Sequence, residues 1–191
     1  MKVPILLLLS LPVFAQSTQP AAPSITPEWD ISQTLDALSA QVKRLRPILD
    51  QLTPAEWVKR GAPDTYVAQW KGTRDELGYL ANSIKVFEKQ PERVTLALDT
   101  FFRLITLENR LNSFVEGVRE YQNPAVGDLM VSVLGEANTN RDNLRQYITD
   151  LAATREKEFE IMDKEAQRCR SQMNAPRKAP TTSKPGSPND E

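Results

Sequence analysis

Aromatic and cationic side chains are concentrated in residues 57–74, which hold two of the three tryptophans of the chain. Aromatic faces beside cations suit an anionic or sugar-like ligand, because they combine stacking with charge-assisted hydrogen bonds. The alternative role is packing, since an aromatic ring buries a large area and keeps one polar edge, which suits the corner of a helical bundle. The sequence favours packing, and a small-ligand site is the second interpretation. The residues of this candidate ligand site are Trp57, Lys59, Arg60, Tyr66, Trp70 and Arg74.

A second set of polar residues falls among the apolar positions of two later predicted helices. Glu108 is in helical phase with Ile105 and Leu111, so its carboxyl group is expected to be partly buried. A buried carboxyl group can act as an acid with a shifted pKa, whereas pairing with an arginine would give it a structural role. Both interpretations stay open, and the second is the more common. The set comprises Glu108, Arg110, Asn112, Asn138, Asn140, Arg141 and Asp142.

The composition argues against catalysis and against metal binding. The chain has no histidine and one cysteine, so the commonest general base and metal ligand is missing and an intrachain disulfide is impossible. Zinc, haem-attachment and iron–sulfur motifs lack their ligands. The formal net charge is −1, which provides no field that would attract nucleic acid. We therefore expect no enzyme activity, no cofactor, no metal and no nucleic-acid partner.

The two ends of the chain have the composition of processed or unstructured segments. Residues 1–15 carry one lysine before an apolar run and end in Val-Phe-Ala, which is the pattern of a secretory signal peptide cleaved after Ala15. Residues 16–29 form a Pro/Ser/Thr linker and residues 174–191 a basic, Pro-rich tail; both are expected to be disordered. The protein is thus predicted to be exported, to the periplasm or outside the cell, with no transmembrane segment after signal removal. The basic tail can make weak contact with an anionic envelope surface.

Apolar residues at alternating spacings of three and four predict a helical bundle domain over residues 30–173. Pro47 lies inside the first predicted helix and is expected to kink it or to end it early. Prolines are otherwise rare in this domain, and the short connections between helices make neighbouring helices antiparallel. The four main helices are expected at about residues 31–52, 65–89, 92–121 and 124–173.

Local motifs predict where helices begin and where the last one is weak. Residues 53–56 read Thr-Pro-Ala-Glu, the sequence of a capping box that opens one short helical turn. Asn123 followed by Pro124 is a second cap-and-proline start. Residues 135–143 are rich in glycine, asparagine and aspartate and place Asn140 in the core phase. This stretch is a candidate kink, polar core layer or break in the last helix.

The last predicted helix is too long to be covered by the other three. After Arg155 the charge density rises and few apolar residues remain, so this end is expected to protrude past the bundle and to meet a protein partner or a second copy. Its lone cysteine lies among cations and can form an intermolecular disulfide in an oxidising compartment. An incidental residue on a fraying helix is the simpler interpretation. The candidate partner-binding residues are Phe159, Met162, Arg168 and Cys169.

The expected fold class is all-α: an up-down antiparallel four-helix bundle with a long, partly protruding C-terminal helix. The expected function is that of an exported, non-enzymatic helical-bundle protein, an adaptor, scaffold or client-binding factor of the cell envelope. The alternative is a small-ligand binding module that uses the aromatic and basic corner at residues 57–74.

Overall fold

The computed structural model describes residues 30–174, which form five α-helices and no strand. The predicted signal peptide, the linker and all but the first residue of the predicted tail lie outside the described residues, so those assignments stay predictions. The helices are α1 (Ser32–Asp50), α2 (Pro54–Lys59), α3 (Thr65–Glu88), α4 (Val94–Tyr121) and α5 (Pro124–Asn174).

The predicted antiparallel four-helix bundle is confirmed, with α1, α3, α4 and α5 as its members and α2 as a short turn between α1 and α3. Along α4 and α5 the paired residues run in opposite directions: Glu108 meets Arg141, and Arg119 meets Asp128. The same holds for α3 and α4. Each main helix contributes buried apolar residues to one core, including Leu38, Leu80, Leu111 and Leu144.

The early end considered at Pro47 does not occur, since α1 continues to Asp50, and the kink considered there stays a prediction. The expected cap at residues 53–56 is wrong. The capping box at residues 53–56 does not form, because the Thr53 hydroxyl lies 3.3 Å from Oε1 of Gln122 and caps no backbone N–H group. The Glu56 carboxylate instead pairs with Lys59 at 2.7 Å. Thr53 thus contacts a distant residue, and Glu56 contacts a residue of its own helix.

The start of α5 is confirmed at the predicted Asn-Pro pair. Oδ1 of Asn123 accepts a hydrogen bond of 2.8 Å from the backbone N–H of Ala125, which satisfies one of the free donors at a helix start. α5 then runs unbroken through residues 135–143 to Asn174, so the break considered for that stretch does not occur. At 1.5 Å per residue its 51 residues measure about 75 Å.

The weak stretch of α5 is supported by contacts with α1. The Gln41 amide of α1 donates a hydrogen bond of 3.0 Å to the carbonyl of Val133. Arg44, also on α1, makes an ion pair of 2.5 Å with Glu136, and this contact lowers the pKa of the Glu136 carboxyl group. These contacts offset the poor helix propensity of the Gly/Asn/Asp-rich sequence.

The C-terminal end of α5 protrudes, as predicted. Its last fully buried apolar residue is Leu151, and residues 159–174 are all exposed; that stretch extends about 24 Å. At the base of the protrusion the Arg155 guanidinium donates to the carbonyl of Glu92 at 3.1 Å. None of the described helices combines the length and the apolar character needed to cross a membrane.

Candidate functional site

Two residues of the predicted ligand corner, Trp57 and Tyr66, belong to an aromatic cluster. Its other two members are Phe114 and Tyr121 of α4. α2 inserts Trp57 into the core, where its side chain is fully buried. The indole ring stacks on Phe114 at 5.5 Å and on Tyr121 at 6.4 Å between ring centroids. Its Nε1 donates a hydrogen bond of 2.7 Å to Oε1 of Gln122. With both faces and its polar edge occupied, the indole holds together the end of the bundle.

Tyr66 completes this aromatic cluster from the start of α3. Its ring meets Trp57 edge-on at 6.0 Å and packs directly on the backbone of Gly117 in α4. A Cβ atom at position 117 would overlap that ring. The absence of a side chain at Gly117 therefore lets the aromatic ring approach α4 closely, a requirement that the residues around Gly117 in the sequence do not reveal.

The two cations at the C-terminal end of α2, Lys59 and Arg60, make their contacts at the protein surface. Nζ of Lys59 lies 2.7 Å from the Glu56 carboxylate, and both side chains are exposed. The Arg60 guanidinium donates to the carbonyl of Tyr121 and, at 3.4 Å, to that of Glu56. Arg60 thus ties α2 to the C-terminal end of α4.

Trp70 and Arg74, the other two residues of the predicted ligand site, face the end of α1. Nε1 of Trp70 donates a hydrogen bond of 2.8 Å to the carbonyl of Leu49. The Arg74 guanidinium lies over the Trp70 ring, 4.7 Å from its centroid, and 2.8 Å from the Asp50 carboxylate. The rings of Trp57 and Tyr66 therefore lie in one environment and the ring of Trp70 in another, and the site stays a prediction. A groove of about 400 Å³ adjoins this second group and is lined in part by Arg46, Asp50, Trp70, Lys71, Arg74 and Asp75.

The fold places the second set of polar residues in two separate environments, one between α4 and α5 and one facing α1. Glu108 is 8% exposed, and its Oε2 accepts a hydrogen bond of 3.1 Å from Arg141. Oε1 of Glu108 is buried and has no hydrogen-bond partner among the described residues. A cavity of about 230 Å³ between α4 and α5 adjoins the pair and includes Asn112 and Asn138 in its lining. Asn140 faces α1 instead, where it lines a polar groove with Asp30, Gln33, Thr34 and Asn143.

This arrangement favours the structural interpretation of Glu108. An arginine in contact with a largely buried carboxylate compensates its charge. Among the residues that the structure describes, no second carboxylate lines the cavity, whereas acid–base chemistry with paired carboxyl groups needs two. Within residues 30–174 no cluster of three or more histidine, cysteine, aspartate or glutamate side chains has the geometry of a metal site.

The base of the protruding helix carries a buried tyrosine with a shifted pKa. Tyr147 is buried, and its hydroxyl donates a hydrogen bond of 3.1 Å to the carbonyl of Pro91. Burial raises the pKa of the Tyr147 phenol, and the carboxylates of Glu92 and Asp30 act in the same direction, while Arg155 opposes them. The contact fastens α5 to the connection between α3 and α4.

The four predicted partner-binding residues all lie on the exposed end of α5. Phe159 is 68% and Met162 61% exposed, which is unusual for large apolar side chains on one short stretch of helix. Cys169 is free and exposed, and Arg168 is exposed beside it. The fold brings these residues together on one helix, beyond the body of the bundle.

Comparison with known proteins adds no family to this picture. No protein-family model matches the chain, and no match is found among curated proteins or among solved structures. The fold and the exposed helix end therefore define the class: an all-α helical bundle with a projecting C-terminal helix.

Proposed function

We propose that this chain is an exported, non-enzymatic helical bundle that binds a protein partner, as an adaptor, scaffold or client-binding factor of the cell envelope. The observation that carries the proposal is the free end of α5, residues 159–174, where Phe159 and Met162 are mostly exposed. Phenylalanine, methionine and arginine are enriched in protein interfaces relative to other surfaces. A preformed helix that presents them binds with little ordering cost.

Two further observations support a binding role over catalysis. The chain has no histidine, and the largely buried carboxylate of Glu108 is compensated by Arg141. The buried side chains of residues 30–174 are mostly apolar, and the cavity beside Glu108 is lined by a single carboxylate among the described residues. Export is supported by the pattern of residues 1–15, and the basic tail would add a weak contact with an anionic surface.

Cross-linking in intact cells, followed by purification of the tagged chain under denaturing conditions, tests the binding role. We expect a reproducible protein adduct that is lost in the double variant Phe159→Ser/Met162→Ser. The matched control is Phe102→Ser, which alters a residue of α4 that is 60% exposed but lies on the bundle body. An adduct that survives in the double variant would place the interface elsewhere, and recovery of monomer alone would overturn the proposal.

The export assignment has its own test. Mass spectrometry of the protein purified from the envelope fraction should find a mature chain that begins at Gln16. An intact N-terminus, or recovery of the protein with the cytoplasmic fraction, would contradict export while leaving the binding role to be judged by cross-linking.

A second candidate function is binding of a small anionic or sugar-like ligand, and the groove beside Trp70 is the observation that favours it. Arg46, Lys71 and Arg74 line this groove together with the Trp70 ring. Calorimetric titration with inorganic phosphate and with glucuronate tests this function. Binding should disappear in Lys71→Ala without a change in melting temperature, and absence of heat with both probes would count against the site.

A further inference from the structure

We propose that the partner of the free end of α5 is a second copy of the same chain, paired in antiparallel orientation, so that two bundles lie at opposite ends of a short coiled coil. This inference rests on the proposed function, because it takes residues 159–174 as the binding segment. The contact surface is a stripe that we call the free seam, made of Phe159, Met162, Ala166, Cys169 and Met173.

The free seam has the spacing of a coiled coil. Its members follow one another at intervals of three, four, three and four residues, as the a and d positions of two heptads and the a position after them do. All five are exposed. Because the segment continues a helix anchored in the bundle, the cost of helix nucleation has already been met. Two heptads form a weak seam, so association should depend on protein concentration.

The position of the seam around the helix decides the direction of pairing. Met162 follows the buried Leu151 by 11 residues and Cys169 follows it by 18, which is about three and five helical turns. The seam is therefore the continuation of the face with which α5 packs on the rest of the bundle. A parallel second copy would run along that face into the connection between α3 and α4, which Tyr147 and Arg155 contact. An antiparallel copy that packs Ala166 on Cys169 brings its described helix, which ends at Asn174, only as far as residue 161 and so leaves that connection free.

Charges beside the seam fit the antiparallel arrangement. The flanking e positions are Asp163 and Arg170, and the g positions that follow the first seam residue are Glu165 and Gln172. In antiparallel pairs e faces e and g faces g. When Ala166 packs on Cys169 of the second copy, Asp163 lies opposite the other Arg170 and Glu165 opposite the other Gln172. By symmetry each contact occurs twice, and such flanking pairs set orientation in coiled coils.

Sedimentation of the full chain under reducing conditions tests the pairing. We expect a reversible monomer–dimer equilibrium and at least a tenfold weaker association in Met162→Glu. The matched control is Ile161→Glu, the neighbouring residue, which is 44% exposed and lies outside the seam. Its dimerisation should change less than threefold. Equal weakening by both variants, or a chain that remains monomeric at every concentration, would overturn the inference.

Disulfide trapping tests the direction. A chain with Ala166→Cys and Cys169→Ser, mixed with the native chain under mild oxidation, should form a cross-linked heterodimer faster than either chain alone forms a homodimer. An antiparallel seam brings residue 166 of one copy against residue 169 of the other. A parallel seam would give the reverse result, with rapid homodimers of each chain and no gain on mixing, and would contradict the proposal.

The two experiments distinguish failure of self-pairing from failure of the proposed binding role. If the chain is monomeric but Phe159 and Met162 are still required for a cellular adduct with a different protein, self-pairing is wrong and the binding role stands. If neither a dimer nor an adduct is found, both fail.

Discussion

Nε1 of Trp57 donates a hydrogen bond to Oε1 of Gln122 at 2.7 Å, and this contact joins the short helix α2 to the connection between α4 and α5. Gln122 also lies within hydrogen-bond distance of the Thr53 hydroxyl. The side-chain amide of Gln122 thus accepts hydrogen bonds both from Trp57 of α2 and from Thr53, the residue before that helix. The indole that a ligand site would need to present is instead enclosed by the bundle.

Replacement of Trp57 by alanine should lower the free energy of unfolding by about 3–5 kcal/mol, because a fully buried ring is removed. Lys59→Ala, a change at an exposed residue of the same helix, should stay within about 0.5 kcal/mol. Urea denaturation followed by circular dichroism measures both. An unchanged midpoint for Trp57→Ala, combined with loss of ligand binding, would favour the ligand interpretation of the corner.

Gly117 and Gly78 should respond to alanine in opposite directions. Gly117→Ala places a methyl group against the Tyr66 ring, and such overpacking costs about 1–3 kcal/mol. Gly78 lies inside α3 with no atom near the position of a Cβ, so Gly78→Ala should stabilise the fold by about 0.5–1 kcal/mol through helix propensity. Thermal unfolding of the two variants checks the pair. Equal shifts of the melting temperature would contradict the close approach at Gly117.

The ion pair of Glu108 and Arg141 should show strong coupling. Arg141→Met leaves a largely buried carboxylate without its partner and should cost about 1–3 kcal/mol. The double variant Glu108→Leu/Arg141→Met should recover much of that loss, since an apolar pair often replaces a buried ion pair without cost.

The matched control for this pair is Arg44→Met, which breaks an ion pair between α1 and α5 whose side chains are about half exposed. It should cost less than about 1 kcal/mol. A double-mutant cycle by urea denaturation gives the coupling energy. Additive effects at positions 108 and 141 would show that the contact of 3.1 Å contributes nothing to stability.

Alkaline pH should destabilise the bundle through Tyr147. Burial raises its folded pKa above the ordinary tyrosine value of about 10, so the unfolded chain loses the phenolic proton first as pH increases. The stabilisation is fully present below pH about 10 and is lost as pH rises through the folded pKa.

Tyr147→Phe should remove that part of the alkaline decline. At neutral pH it should cost about 1 kcal/mol, because the hydrogen bond to Pro91 is lost. Tyr79→Phe, at an exposed ring, serves as the control. Free energies of unfolding measured between pH 7 and about 11 make the comparison, and parallel curves for native and Tyr147→Phe chains would contradict the assignment.

The apolar spacing of the sequence was sufficient to predict the four main helices, the Asn123–Pro124 start and the protruding end. These features depend on residues that are three and four apart in one helix and on groups in its first turn. Residues near one another in the sequence therefore suffice to predict them. The same spacing located Phe159 and Met162 on the free end. It could not say whether α5 breaks at residues 135–143, because the contacts from Arg44 and Gln41 that support this stretch come from α1.

Only the tertiary structure decided which side chains meet across helices. Thr53 has the sequence of a cap, yet its hydroxyl faces Gln122, which lies 69 residues further along the chain. Trp57 and Trp70 are close in sequence, yet one is enclosed by α4 and the other contacts α1. In the sequence Gly117 looks like any glycine within a helix, and only the packed structure shows that the Tyr66 ring lies against it. Periodicity states which face of a helix is buried, whereas the identity of the neighbour on that face depends on how all the helices pack together.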